Sequence, residues 1–478
     1  MKKTFYVLML ISLSFISCKT DDPDPVDVKQ ELARGSGTIQ DQYLIYTVQD
    51  LKNYRDSINL VNNRWCDKSF KLINDLDFIN ETDWMPIGFP TDFNHMNAFS
   101  GNFDGNNKKI INMKIGSDTT PYPITYAGIF GYVKGATIQN LTVEWSCINT
   151  TTYKKNVGYL MPGVNGGIVA YLDGGMINNC SSSGKITGKS SGGIAGYSEG
   201  KIYNCTSSAL VNSINMISLS SSGFAGGIVG ENVGDIWNCT STGSIMASAL
   251  VDDTWLKEIF AGGIVGCQLG GAIVNCSSEG KVAAENVNVA NSYAGGVTGY
   301  LSSGKVCNCF SKGDILTKSI KWSSSYSGGI VGYGTDTVQN CYSVSNVKSV
   351  SSSESYVGGI STYGSVITNN IALNKSLTSI ASSISSCTIY RISNLISGES
   401  LLLKDNYAKV DAAYLGTSEA SLSNLTDFAN QQIHGAELIA TPVNLLNAFV
   451  ASNKSVSGII LKKWIVKSGV NNGLPVFE

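Results

Sequence analysis

A Gly-Gly pair recurs seven times between residues 166 and 359, each time followed by an aliphatic residue. The pairs are Gly166-Gly167, Gly192-Gly193, Gly226-Gly227, Gly262-Gly263, Gly295-Gly296, Gly328-Gly329 and Gly358-Gly359, at successive spacings of 26, 34, 36, 33, 33 and 30 residues. A recurrence in this range is the signature of a solenoid or another repeat array, and it constrains the fold more than any other property of the chain. The aliphatic position holds Ile168, Ile194, Ile228, Ile264, Val297, Ile330 and Ile360. Some 11 to 13 residues past the second Gly lies an Asn-Cys dipeptide: Asn179-Cys180, Asn204-Cys205, Asn238-Cys239, Asn275-Cys276, Asn308-Cys309 and Asn340-Cys341, with Asn369-Asn370 in the seventh copy. Each unit offers about three short strands punctuated by Gly, Ser and Asn, with no helical periodicity.

A strand triplet that cannot bury its own face must stack on a neighbour. Equivalent residues then stand one above another at roughly 4.8 Å. The expected architecture is all-β, a parallel β-helix with Ile and Val columns inside. Gly-Gly would permit tight bends or close backbone approach. The Asn column would mark a corner whose amides bond along the axis. A β-propeller is the alternative, but its blades need four strands and ~40 residues or more.

The units resemble the GLUG repeat, with the pattern Gly-Gly-Ile-Val-Gly, then Gly-x-Ile-x-Asn-Cys, then Ser/Thr-x-Gly; Gly226 to Gly243 is the cleanest copy. The stretches beginning at Gly35, Trp84-Met85-Pro86-Ile87-Gly88 and Phe99 to Gly105 look like the segment that precedes such repeats. Ala127 to Gly131 with Thr137 to Leu141 looks like a degenerate first copy, and Arg391-Ile392 with Asn406-Tyr407-Ala408 like a last one. The resemblance implies a right-handed solenoid over residues 125–410, a small α/β cap over 37–124 and another over 411–478. It also implies a bacterial surface protein, since such repeats stand there, some beside peptidases. It brings no catalytic residue set.

Residues 1–17 read as a signal peptide: Lys2-Lys3, an apolar stretch from Phe5 to Ile16, then Ser17. Cys18 directly after the small residue resembles a lipoprotein signal and would carry the lipid; the plainer reading is an ordinary signal peptide with an incidental Cys. The stretch is too short to span a bilayer, which takes ~20 residues. Residues 18–36 read as a disordered tether rich in Asp and Pro. Its acidic cluster also resembles the surface-export signal of Bacteroidetes lipoproteins. The expected location is the outer membrane, lipid-anchored and facing outward.

Charged residues make up 15% of the chain and the net charge is −2, which gives no electrostatic case for nucleic acid. Cys180, Cys205, Cys239, Cys276, Cys309 and Cys341 should stack as a column. Their spacing falls within the range disulfides allow, but parallel Cβ vectors are poor bonding geometry. A reduced interior ladder is therefore expected, with buried Cys acting as a small hydrophobe. No metal or cofactor is expected: zinc sites want Cys and His clusters at short spacing, and Cys307-x-Cys309 is the one close pair.

The chain has two histidines, His95 and His434, neither in a context that suggests a nucleophile–base arrangement. Asp75, Asp77, Asp83 and Asp104 cluster before the repeats; Asp104, in Phe-Asp-Gly-Asn, reads as a β-turn residue, and a structural role is expected for all four, with paired carboxylates for glycoside hydrolysis as the other reading. Two residues ahead of the Gly pair stand Phe224, Phe260, Tyr293, Tyr326 and Tyr356, with Tyr126 in the first copy. If the strand is continuous they share parity with the Ile column and belong to the core; a binding surface is the other reading. A second column, Asn178, Tyr203, Trp237, Val274, Cys307 and Gln339, has outward parity. Tyr203 and Trp237 would be neighbours there, suited to sugar rings or a protein partner, or simply scattered surface aromatics. The inserted segments add Trp255 and Trp322 on what is often the binding side of a solenoid, or else form a longer third strand, which their Ile and Val content allows.

Solenoid ends need covering. A helix is expected over Val48 to Asn62, with Leu51, Tyr54, Ile58 and Val61 on one face, and another over Pro442 to Ala451. Trp464 and Leu474 to Phe477 look like closing strands. Three functions fit: a non-enzymatic adhesin-like module for glycan or protein partners, a carbohydrate-active enzyme such as a lyase or hydrolase, or a passive shielding protein. The first is favoured.

Overall fold

The computed structural model describes residues 35–478 apart from 61–64, 90–96, 151–162, 216–221, 250–257, 288–289, 383–386, 396–401, 410–412, 417–434 and 439. The signal peptide, Cys18, Val61, His95, Trp255 and His434 lie outside the described residues. The chain forms an all-β parallel solenoid. A representative turn comprises Gly223–Gly226, Val229–Asn232, Asp235–Trp237, Thr240–Ser241 and Ile245–Ala249. The first strand of each turn belongs to a nine-stranded sheet, the second to a seven-stranded sheet, and the rest to a 30-stranded sheet. Ladders are parallel and in register, as in Ile202↔Ile236↔Ile273↔Val306.

Where the sequence suggests about three strands per unit, this turn has five, because the Gly pair and the Asn each interrupt the chain. In the first repeat turn the strand runs on through the Asn140 corner. Thr137–Asn149 is one continuous strand, and it pairs in succession with Met176–Asn178, Ser181–Ser183 and Lys185–Gly188.

The Gly pair is a matter of space rather than of backbone angle. A Cβ on Gly226 would lie 1.7 Å from the Val229 carbonyl oxygen, and one on Gly227 would lie 2.1 Å from both Gly263 O and Ser241 Oγ. The first Gly lets the chain fold back on itself, and the second lets successive turns and the buried Ser column approach.

The Asn corner has a different cause. Asn140, Asn179, Asn204, Asn238, Asn275, Asn308, Asn340 and Asn369 all have φ between 51° and 57°, a left-handed conformation that Asn tolerates better than other residues with a Cβ. Their amides bond along the axis: Asn238 Nδ2 donates to Asn204 Oδ1 at 3.1 Å, Asn308 to Asn275 at 2.8 Å and Asn340 to Asn308 at 2.7 Å. The next residue, Cys, points inward. The six ladder cysteines are free and at most 2% exposed. Their thiols donate to the carbonyl two residues back, as from Cys239 to Trp237 O at 3.3 Å. Burial pushes the Cys180, Cys239 and Cys309 thiols well above their ordinary range.

Helix α1, Val48–Asn59, opens with a capping box between Thr47 and Asp50. It packs Leu51, Tyr54 and Ile58 against Phe70, Phe99 and Phe130. At the other end, the expected helix is present as α2, Pro442–Asn453, and Trp464–Ile465 pairs antiparallel with Val476–Phe477. This segment docks along the side of the solenoid. Leu446, Phe449 and Trp464 meet Val274, Cys307, Phe310 and Tyr342. Trp464 Nε1 donates to Asn308 Oδ1 at 2.6 Å, and Asn275 Nδ2 to Ile460 O at 2.9 Å. The physical reason is the outward column: in these turns it is apolar, and covering it removes that surface from water.

Candidate functional site: a double aromatic ladder

The strand before each Gly pair ends at the pair, and the chain turns before the next strand begins. Continuous-strand parity therefore does not apply. Ala225, Ala261 and Ala294 face the interior, whereas Phe224, Phe260 and Tyr293 point away and form a separate cluster with Tyr300, Tyr326 and Tyr333. The core reading of this column is thereby corrected: the rings are well packed, but outside the solenoid bore.

They stack along the axis. Centroid separations from Phe224 through Phe260, Tyr293 and Tyr326 to Tyr356 are 5.3, 5.0, 5.0 and 4.9 Å, with interplanar angles of 7°, 11°, 8° and 1°. A second column runs beside it on the seven-stranded sheet and was missed in the sequence: Tyr132, Tyr171, Tyr197, Glu231, Cys267, Tyr300 and Tyr333 in successive register. Its signal is an aromatic four residues past the second Gly, a periodicity visible only once the neighbouring column is known to face the same way. The columns interlock edge-to-face, as in Tyr293–Tyr300 at 5.6 Å and Tyr326–Tyr333 at 5.4 Å.

Acidic side chains line the ladders. Tyr132 OH donates to Asp173 at 2.6 Å, Tyr171 and Tyr197 OH to Glu199 at 3.3 and 3.0 Å, Tyr293 OH to Glu258 at 3.0 Å and Tyr356 OH to Glu354 at 2.8 Å. Burial, then the charge of Glu199, pushes the Tyr171 phenol up to about 12; burial does the same at Tyr326. These phenols stay protonated and act as donors at neutral pH. Because stacked rings spend their faces on one another, the surface offered outward consists of ring edges, hydroxyls and carboxylates.

Tyr203 and Trp237 are neighbours, as their spacing predicts, at 4.4 Å and 1°. Both are half-buried, Tyr203 OH donates to Met176 Sδ at 3.5 Å, and Trp237 borders the cluster under the C-terminal segment. Val274 and Cys307 of the same outward column are fully buried there. Trp322 stands apart: it is 87% exposed, on a bend, with φ 38°. The four N-terminal aspartates hold backbone or amide groups: Asp75 accepts from Lys109 N, Asp77 from Ile79 N and Asn112, Asp83 from Gly116 N, and Asp104 from Asn106 N and Asn140.

Fold and site together define a parallel β-solenoid bearing a lateral aromatic and acidic face. No family model matches the chain, and no curated protein matches it. Among solved structures it is similar to a Bacteroides ovatus protein provisionally named an immunoglobulin A1 protease, at 19% identity, over 94% of this chain and 95% of that one. The TM-score is 0.37, a likeness that carries no argument about activity.

Proposed function

We propose that this chain is a non-enzymatic surface protein of the GLUG-repeat kind, lipid-anchored through Cys18 in an outer membrane, which binds glycan along the double aromatic ladder. The observation that carries the reading is the row of ring edges and carboxylates standing outside the core along the solenoid axis. Such a row complements a polymer rich in hydroxyls, with Phe and Tyr edges giving apolar contact and carboxylates accepting hydrogen bonds. Trp322, exposed on a bend, supplies an additional contact for the same ligand.

The test is a glycan and matrix-protein array probed with the whole chain in mild detergent, beside a Tyr300→Ala, Tyr333→Ala double variant and a Trp322→Ala variant. Glycan binding lost in the double variant supports the reading. Binding to protein spots alone, or degradation of the bound polymer, overturns it; degradation would favour the carbohydrate-active enzyme. For the anchor, Cys18→Ala should move the chain from the membrane fraction to the soluble one.

A further inference from the structure

The second aromatic column is interrupted. Between Tyr197 and Tyr300, successive register positions hold Glu231 and Cys267 instead of rings. At one inter-strand spacing per turn, the two flanking rings are about 14 Å apart. Tyr197 stacks on Tyr171 at 4.6 Å on one side, and on the other side its register partner is Glu231. The first column is continuous here, so Phe224 and Phe260 wall the gap laterally. Cys267, at the next position, is only 4% exposed and packs among Phe260, Tyr293 and Tyr300.

Glu231 differs from the other ladder carboxylates. Asp173, Glu199, Glu258 and Glu354 each take a phenol hydroxyl. Among the described residues Glu231 takes none and forms no ion pair, though it is only half-exposed. The desolvation that raises its pKa is opposed by the charge of Lys189. A part-buried carboxylate with unused acceptor capacity is costly unless something else fills it. With a lysine charge already at hand, the complement is a neutral donor-rich group rather than a cation.

We infer that this interruption is the anchoring subsite of the aromatic face, taking one pyranose ring stacked on Tyr197, with ring hydroxyls donating to Glu231. The inference rests on the glycan reading and deepens it.

The experiment is calorimetric titration of the whole chain with gluco-, manno-, xylo- and N-acetylglucosamine oligosaccharides. Glu231→Tyr completes the column and fills the gap with the residue type its neighbours carry, so the fold should hold, as thermal melting will report. Glu231→Gln keeps the shape and weakens the acceptor. The expected result is binding by the wild type, at least tenfold weaker in Glu231→Gln and lost in Glu231→Tyr. Equal binding by a folded Glu231→Tyr overturns the subsite and leaves the glycan reading standing. No binding by the wild type overturns both. Displacement of bound sugar by tetramethylammonium at millimolar concentration, or binding of that cation alone, overturns the pyranose assignment in favour of a cation site.

Discussion

At the scale of single residues, the corner asparagines do two jobs that separate cleanly. Asn238→Ala loses two ladder hydrogen bonds, the one it donates to Asn204 and the one it accepts from Asn275, each worth about 1 kcal/mol, and places an ordinary side chain in a left-handed conformation at a further ~1–2 kcal/mol. Asn238→Gly loses the two bonds without the conformational penalty. Thermal melting of the two variants should therefore rank Gly above Ala, and the reverse order would remove the conformational account. Glu231 makes a pH-dependent prediction. Its pKa is raised by burial, so the folded state holds the proton more tightly than the unfolded chain. Stability is full below the ordinary carboxylate value of about 4.3 and falls as pH climbs through the folded pKa. Glu231→Gln should thus raise Tm at pH 7 and leave it unchanged at pH 4; no shift at pH 7 would show a carboxylate that burial does not perturb. The buried thiols should resist a disulfide reagent at pH 8 in the native chain and react once it is denatured.

At the scale of elements, the Gly pair governs what the rings can do. The pair and its aliphatic follower were legible as a period, and so were the Asn corner, the inward Cys and both helices. The orientation of the aromatics was not, because parity arguments hold within one strand, and Phe224 is separated from Ile228 by a turn that only three-dimensional crowding at Gly226 and Gly227 requires. Nor was the docking of the last segment, since nothing in Pro442 to Phe477 names Asn275 or Asn308 as partners. Gly227→Ala would drive a Cβ to 2.1 Å from the Gly263 backbone carbonyl oxygen and from the buried Ser241 Oγ. It should cost at least the upper end of the ~1–3 kcal/mol typical of overpacking, read as a lowered Tm, whereas Gly135→Ala meets no atom within 4 Å and is limited to backbone strain at its φ of 66°.

At the scale of the whole molecule, stability is a sum over turns, each contacting its neighbours. Removing residues 228–263 joins Gly227 to Ile264 and keeps every register position. This shortened chain should fold with an unchanged circular dichroism shape, and loss of the β signal would show that the turns are not interchangeable. Residues 442–478, by contrast, reach back across sequence separations of 154 to 187 residues to bond with Asn275 and Asn308. Turns grow by local addition, but this seam waits for chain made long afterwards, so during synthesis the stripe of Val274, Phe310 and Tyr342 stands uncovered. A ribosome-bound chain, or one ended before residue 442, would thus carry a rod with a sticky flank, a state that holding chaperones recognise until the segment closes over it.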